Sequence, residues 1–500
     1  MKKAITVFTA IVVIIAALIS VGAMTACGSV NENSSSGTET TAKTETPVFD
    51  FEDEDLAKYY ALASLDILTP KAIAKEKEDY VESRSAKNEG EKMQLVSGTV
   101  VKAEYKLSNA DLTNVLESGS MEFTVGQDER FTGLSAALKD SMLTVGKERT
   151  VRGLRSADYP DESTVVLTVT ATKITPPAVT ADEYEKPLKY YRNYLLLEYN
   201  KTIPQSEMTI SEGDAVITAY KLISRTDNDK YKVGDVIDSS DNLSFNVGAG
   251  KTLADFDRAF IGHKTGDKFD NEMKLPDDYG DEYKHGIEVT FECEVKKISK
   301  ALTETSAQEM GYEGVDDFNA STEAVIRDRY LTSSAAMALL KKSSKLISLP
   351  ADALYNYKDE QTYYQYYYLR YLVYYYSHLG VTTDIDTMAK AKFGYDSAQD
   401  YLVYYFNSDA LAEEAEGAVE SNLFLYSLIR AAGLEVSDAE FNEKYADDVA
   451  IILGYSGKAD YLGMLKTCYD VEGDRATALM KDEYYRIKAE EYLERRSLYK

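Results

Sequence analysis

The chain has 500 residues and is strongly acidic, with 84 Asp and Glu against 56 Lys and Arg and a formal net charge of −28. This charge argues against nucleic acid as a partner, because a polyphosphate backbone repels it. The three Cys and three His show no spacing typical of a disulfide framework or a zinc site, and no acidic cluster has EF-hand spacing. We therefore expect neither a metal site nor a cofactor.

The N-terminus, Met1 to Ala26, has the layout of a secretory signal peptide. Two Lys residues precede an apolar run from Ala4 to Ala23, and Met24-Thr25-Ala26-Cys27 follows. The Cys at the cut position resembles that of a bacterial lipoprotein signal. The resemblance implies lipidation of Cys27 and an extracytoplasmic protein that is lipid-anchored to the outer face of the bacterial cell membrane. An ordinary signal peptide and an uncleaved anchor are the alternatives.

Residues 27–50 are rich in Ser, Thr, Asn and Glu and predict a flexible tether. Helical apolar spacing over Asp53 to Ala86 predicts an N-terminal helical segment at residues 51–93. The same spacing over Ala181 to Lys201 predicts a helical linker at residues 177–206.

Residues 94–176 lie between these helical stretches. Their sequence pattern is nearly repeated in a later region, residues 207–300. In the later copy, Ala215–Tyr220 and Val289–Val295 alternate as half-buried strands do. Leu253, Phe256 and Phe260 have helical spacing. A curled antiparallel sheet closed over that helix would enclose one apolar cavity, lined by Tyr220, Phe245, Leu253, Phe256 and Phe291. Periodicity alone favours the alternative that these residues form the plain core of a small α+β domain.

The segments GDAVITAYKLI, VIDSSDNLSFNVGAGKTLADFDRAFIGHKTGD and LPDDYGDEYKHGIEVTFECEVKKI resemble, in this order, an FKBP-type peptidyl-prolyl cis-trans isomerase domain. The most specific parts are Ile237–Ser240, Gly248–Phe256 and Pro276–Tyr279. Ile237 stands where the family usually has an aromatic residue. The resemblance implies a catalytic pocket for proline, lined by Tyr220, Ile237, Asp238, Phe245, Leu253, Phe256, Tyr279 and Phe291.

Such a pocket needs no nucleophile, because rotation about an X-Pro bond passes through a twisted amide over a barrier of about 18–20 kcal/mol. Preferential binding of the twisted form lowers that barrier. We expect Phe245, Leu253, Phe256 and Phe291 to act by shape and desolvation. Asp238 and Tyr279 would supply polar contacts.

The earlier copy, residues 94–176, carries VVKAEYKL against AVITAYKL and VVLTVTATKI against VTFECEVKKI. The offset between matched residues grows from 115 at Tyr105 to 124 at Ile174, as loop insertions would cause. This copy lacks the Ile-Asp-Ser-Ser segment. It has Leu134 in place of Phe256 and Leu167 in place of Phe291. We predict a structural or peptide-binding domain with little isomerase activity.

Residues 301–500 have helical patterns almost throughout. Helices are predicted at Val315–Leu346, Pro350–His378, Ser397–Ala432, Ser437–Leu453, Ala459–Thr467 and Asp474–Ser497. The segments MGYEGVDDFNASTEAVIRDRY, KLISLPADALYNYKDEQ, FGYDSAQDYL and AAGLEVSDAEFNEKYADDVA resemble, in order, the C-terminal arms of trigger factor, a ribosome-associated chaperone. No basic ribosome-docking loop precedes them, so we expect no ribosome partner.

Eleven Tyr residues lie between Tyr355 and Tyr376. With Tyr on nearly every face, some rings must remain accessible, and rings that are apolar on the face and polar at the tip suit varied unfolded segments. We predict client binding by Tyr363, Tyr367, Tyr371 and Tyr374. The alternative is that the rings only cover a long amphipathic helix.

The predicted fold is α+β, with two tandem FKBP-like curled antiparallel sheets, each with a short helix, and an all-α trigger-factor-like C-terminal chaperone region. The predicted function is an extracytoplasmic folding factor that isomerises X-Pro bonds and binds unfolded or nascent exported polypeptides. A non-catalytic holdase is the alternative. A solute-binding lipoprotein is disfavoured, because no alternating βαβ pattern is found.

Overall fold

The structure is a computed structural model that describes residues 49–498 except 128, 129, 251, 281 and 380. The predicted signal peptide, the lipidation residue Cys27 and nearly all of the tether lie outside the described residues. The segment that follows contains strand β1 (Tyr60–Ala61) and helix α1 (Pro70–Arg84), with 3-10 turns at Leu56–Lys58 and Leu65–Ile67. The single helical stretch predicted over Asp53 to Ala86 is therefore wrong in its first half.

The first sheet domain is built around a five-stranded antiparallel sheet of order β4-β3-β8-β7-β5, with β2 and β6 paired separately. Its elements are β2 (Lys92–Gln94), β3 (Val100–Asn109), β4 (Val115–Thr124), β5 (Phe131–Thr132), α2 (Leu134–Leu138), β6 (Met142–Thr144), β7 (Glu148–Ser156) and β8 (Val165–Thr175). Strand β8 is apolar at alternate positions from Val165 to Ala171, and these side chains are buried in the domain core. Helix α3 (Ala181–Thr202) follows, as predicted.

The second sheet domain has a four-stranded antiparallel sheet of order β10-β9-β12-β11. Its elements are β9 (Ala215–Ser224), β10 (Val236–Asn246), α4 (Ala254–Arg258), β11 (Lys268–Lys274) and β12 (Glu288–Ser299). The two curled sheets with their short helices, together with the helices that follow, confirm the predicted α+β fold class.

Strand β10 carries extra residues that decide which of its side chains face the core. It has one residue more than β9 between Ser240 and Leu243, and one more between Val236 and Asp238. Asp238 therefore lies opposite buried Leu222, while Phe245, seven residues later, lies opposite buried Val216. Residues an odd number apart on a regular strand face opposite sides, so the bulge places Asp238 and Phe245 on the same side.

The remainder of the chain is helical. Its helices are α5 (Glu304–Glu309), α6 (Val315–Ser343), α7 (Ala351–His378), α8 (Ile385–Phe393), α9 (Ala398–Phe406), α10 (Asp409–Ala432), α11 (Asp438–Lys444), α12 (Ala446–Leu453), α13 (Lys458–Tyr469) and α14 (Gly473–Leu498), and a two-residue strand, β13 (Lys345–Leu346), pairs with β1. The single helix predicted over Ser397–Ala432 is wrong, because Ser408 accepts a hydrogen bond from the Leu411 backbone N–H and starts a new helix. Helix α8 was not predicted.

Contacts divide the chain into two compact units. The larger unit comprises residues up to Leu62, Lys189–Glu323 and Ser344–Ala489, and so contains the second sheet domain and most of the helices. The smaller unit comprises Ala63–Leu188, Ala324–Ser343 and residues from Glu490, and so contains the first sheet domain. The seven segment boundaries given by the sequence stay predictions.

Within the larger unit, the first described residues are held by the helices. Arg430 of α10 donates to the backbone carbonyls of Glu52 and Glu54, and buried Lys481 of α14 donates to the Glu52 carboxylate at 2.7 Å. The ring of Phe51 stacks on Tyr426 at 5.4 Å between centroids. The segment from Phe51 to Glu54 is therefore part of the helical core of the larger unit.

Candidate functional site

The eight residues predicted to line the pocket meet at one place in the second sheet domain. Phe245, Phe256 and Phe291 are buried in its core. The other four hydrophobic residues are partly buried and pack against that core: Tyr220, Ile237, Leu253 and Tyr279. Asp238 is exposed and joins the group through a hydrogen bond from the Tyr220 hydroxyl.

Phe256 is at the centre of the aromatic cluster. Its ring centroid lies 4.6 Å from that of Phe291, 5.6 Å from Phe245 and 6.1 Å from Tyr220. The rings are tilted or edge-on to one another, which is the arrangement that aromatic quadrupoles favour. The cluster therefore forms a closely packed apolar wall.

Helix α4 carries Phe256 into the cluster, and a buried carboxylate fixes the loop in front of it. Asp257 is 2% exposed, and its Oδ2 accepts a hydrogen bond from the Gly248 backbone N–H at 3.1 Å. Gly248 has φ +81, and a Cβ there would meet the Glu212 side chain at 3.1 Å. Both the backbone angle and the close approach favour glycine at this turn.

The polar edge of the cluster consists of Tyr220, Asp238 and Tyr279. The Tyr220 hydroxyl donates to Asp238 Oδ2 at 2.8 Å. Burial raises the pKa of Tyr220, and the bond to the Asp238 carboxylate raises it further. Burial, followed by the Asp238 charge, also raises the pKa of Tyr279. Both hydroxyls therefore stay protonated at neutral pH, and that of Tyr220 donates to Asp238.

Sequence reasoning left two aromatic residues out of the site. Phe260 is fully buried, and its ring contacts those of Phe245 and Phe256 at 5.1 and 5.2 Å. Phe269 of β11 contacts Phe260 and stacks on His263 at 3.9 Å. Helical spacing from Phe256 already indicated Phe260, whereas the position of Phe269 depends on which strand pairs with β12.

The tyrosine-rich helix α7 divides into bonded and exposed rings. Of the four residues predicted to bind clients, Tyr363 donates to Asp470 at 2.5 Å and Tyr367 to the Thr467 carbonyl at 2.7 Å. Tyr371 is 37% exposed, and Tyr374 is half-buried. Tyr375, which was not singled out, is 36% exposed and stacks on Tyr371 at 6.3 Å.

In the part of the chain that the structure describes, no group of three or more His, Cys, Asp and Glu side chains is arranged to hold a metal ion. Among the same residues, no helix has the length and apolar character needed to cross a bilayer.

No family model matches the chain. Several curated proteins are similar to it. The trigger factor of Geobacillus kaustophilus is 22% identical over 284 residues, which cover 53% of this chain and 58% of the relative. The trigger factor of Halothermothrix orenii gives the same three percentages over 276 residues. The trigger factor of Chromobacterium violaceum is 32% identical over 127 residues, 25% of this chain and 27% of the relative.

The chain is similar to trigger factors. These relatives confirm the resemblance to trigger factor inferred from the sequence motifs, and the chain spans little more than half the length of the first two. Two solved structures are also similar. The three FKBP domains of wheat FKBP73 are 17% identical, with 43% of this chain and 93% of that chain covered and a TM-score of 0.15. A structure of the trigger factor chaperone is 14% identical, with 71% and 79% covered and a TM-score of 0.16. Scores this low carry no argument about this chain.

The first sheet domain provides a prediction about pH. Its Glu117 accepts two hydrogen bonds from Arg130, at 2.7 and 2.9 Å, and one from Tyr105. The bonds from Arg130, then that from Tyr105, lower the pKa of Glu117 below its usual 4.5. As pH falls through this lowered pKa, the unfolded chain binds the proton more readily, so the stability contributed by Glu117 is lost. It is fully present above pH 4.5.

The chain has no Trp, so a single Phe123→Trp substitution on β4 would report unfolding of the first sheet domain alone. We expect Glu117→Gln to lower the free energy of unfolding at pH 7, measured by urea titration of Trp fluorescence. The difference in free energy of unfolding between Glu117→Gln and its parent should shrink as pH falls below 4.5. A gap that stays constant down to pH 3 would contradict the assignment.

Proposed function

We propose that this protein is a folding factor that catalyses cis/trans isomerisation of X-Pro bonds at the aromatic cluster of the second sheet domain. The observation that carries the proposal is the apolar wall of Phe245, Phe256 and Phe291 next to the hydrogen-bonded pair Tyr220–Asp238. The similarity to trigger factors supports the same reaction class.

The wall suits the chemistry because the twisted imide loses its amide resonance and is less polar than either planar form. Desolvation against Phe256 and Phe291 favours that form, and each tenfold gain in rate needs about 1.4 kcal/mol of preferential binding. The twisted carbonyl needs at most a modest polar contact. We propose that Tyr279, which packs against the same core cluster, provides one.

We further propose that exposed rings of α7 hold unfolded segments while the second sheet domain acts on them. Tyr368, Tyr371 and Tyr375 are each between 36% and 39% exposed. A holdase without catalysis is the second candidate, and these exposed rings are the observation that favours it.

We also propose that the protein works outside the cytoplasm, anchored by a lipid on Cys27. The proposal rests on the sequence pattern of residues 1–27. Its partners would then be exported polypeptides that arrive unfolded and contain X-Pro bonds.

The isomerase assignment predicts that Phe256→Leu lowers the rate of prolyl isomerisation of a short X-Pro peptide by at least about tenfold, because it removes an aromatic wall. Leu is the residue that the first sheet domain has at the matching position, so the core stays filled. Phe256→Ala would test the same wall but is expected to cost about 3–5 kcal/mol of stability. Phe406→Ala on α9 is the matched control and should keep the parent rate.

Full activity in a folded Phe256→Leu protein would show that the pocket is assigned wrongly. No catalysis in the folded parent would favour the holdase.

The client-binding assignment predicts that Tyr371→Ala combined with Tyr375→Ala weakens suppression of aggregation of an unfolded, proline-free polypeptide. The two stacked rings offer apolar faces that the variant lacks. Light scattering measures the effect. Tyr194→Ala on α3, where the parent ring is 40% exposed, is the control and should suppress aggregation as the parent does. Unchanged suppression by the double variant would contradict the role of these rings.

The anchoring proposal predicts that the protein expressed in a bacterium incorporates labelled palmitate and fractionates with the membrane, and that Cys27→Ser abolishes the labelling. Membrane association that survives in Cys27→Ser without lipid labelling would indicate an uncleaved anchor. Release of an unlabelled parent protein into the medium would indicate an ordinary signal peptide.

A further inference from the structure

A closed polar network occupies one end of the first sheet domain. The Arg130 guanidinium donates through Nε to Asp158 at 2.8 Å. Its Nη2 donates to both oxygens of Glu117, at 2.9 and 2.7 Å. Its Nη1 donates to the Tyr105 hydroxyl at 3.0 Å. The Tyr105 hydroxyl in turn donates to Glu117. Tyr159 donates to the other Glu117 oxygen at 3.3 Å. One guanidinium thus joins two carboxylates and a hydroxyl.

Strand register shows that this network stands where the second sheet domain has its candidate site. Leu107 of β3 lies opposite Glu117, and Leu222 of β9 lies opposite Asp238. The two Leu residues end the matched segments VVKAEYKL and AVITAYKL. Glu117 therefore occupies the position of Asp238, although the first copy lacks the Ile-Asp-Ser-Ser segment. Each carboxylate accepts a hydrogen bond from the Tyr two residues before the Leu.

The apolar walls also correspond, but with different side chains. Leu107 faces Leu167 on β8, as Leu222 faces Phe291 on β12. In the first domain, the Arg130 guanidinium lies beside the Tyr ring, where the second domain has aromatic side chains. The Arg130 guanidinium lies 5.6 Å from the centre of the Tyr105 ring. In the second domain, the corresponding Tyr ring contacts Phe256 and Phe291 instead.

We propose that Arg130 is a built-in ligand of the first sheet domain, which fills the place of a bound prolyl segment and keeps that place closed to peptides. This inference rests on the proposed function of the second domain, which defines the place. The first pocket is thus specific for a guanidinium, supplied by the chain itself.

The chemistry of the network explains why a prolyl segment does not displace Arg130. The guanidinium donates through Nη2 to both oxygens of Glu117, and its central carbon lies 5.6 and 5.1 Å from the ring centres of Tyr105 and Phe131. A proline ring has neither charge nor donor. Entry of proline would leave the half-buried Glu117 carboxylate without its cation, which is unfavourable.

The test is photocrosslinking of the full chain by a short peptide that carries benzoylphenylalanine next to proline, with the labelled sites mapped by mass spectrometry. We expect the parent to be labelled in the second sheet domain only. A site closed for about nine-tenths of the time lowers apparent affinity about tenfold, so Arg130→Ala should gain labelling near Tyr105 and Tyr159 by about that factor. Arg152→Ala, an exposed position on β7 of the same domain, is the matched control and should gain none.

Methylguanidinium chloride provides a second readout. Added to Arg130→Ala, it should reoccupy the site and reverse the new labelling, whereas NaCl at the same ionic strength should not. Reversal should fail when Glu117→Gln is combined with Arg130→Ala, because the bidentate partner is then missing.

Labelling of the first domain in the parent, or none in a folded Arg130→Ala protein, would overturn the proposal. If Arg130→Ala does not fold, Arg130→Gln retains most of the stem and removes the charge. Failure of both variants to fold, unrelieved by methylguanidinium, would show a structural role instead of a ligand role. Absence of labelling in the second domain, together with new labelling of the first domain in Arg130→Ala, would contradict the proposed function and still support closure of the first site by Arg130.

Discussion

The register of the central strand β9 is the constraint on which the second sheet domain depends. Its even-numbered side chains from Val216 to Leu222 face the core, and β12 matches them with Phe291, Cys293, Val295 and Ile298. A slip of one residue would turn every one of these side chains outward. The bulge in β10 then adds what a regular strand could not. It allows an acidic side chain and a core Phe, seven residues apart, to share one face, so the polar and apolar parts of the candidate site lie side by side.

The two sheet domains show that the same fold can enclose either aromatic rings or a charged side chain at the same place. Both have a central strand with a Tyr two residues before a Leu, and both place a carboxylate opposite that Leu. In the second domain, the space beside the Tyr is filled by aromatic rings. In the first, smaller Leu residues line it and an Arg side chain enters. Aromatic walls and a bridged guanidinium are both stable fillings, since one removes apolar surface from water and the other satisfies charges by hydrogen bonds.

The tyrosine-rich helix α7 illustrates the same competition between packing and exposure. Its hydroxyls on one side are taken up by carboxylates of other helices, such as the bond from Tyr357 to Glu414 and that from Tyr363 to Asp470. Buried Tyr needs such partners, so these rings serve the helical core. Among the side chains that the structure describes on α7, four tyrosine rings are at least 36% exposed: Tyr355, Tyr368, Tyr371 and Tyr375. The surface available for a partner is therefore much smaller than the number of tyrosines indicates.

The sequence by itself determined the strand and helix types, the duplicated sheet domain and the residues around Phe256, because these follow from local periodicity and from motif resemblance. It missed helix α8, the break at Ser408 and the equivalence of Glu117 with Asp238. Those features depend on which segments pair and at what register, and length changes in the loops hide that register from a sequence comparison. The Arg130 network was decided only by the tertiary structure, because its members come from β3, β4, the residue before β5 and the loop after β7. Side chains so distant along the chain meet only when the sheet closes, and no local pattern records that they do.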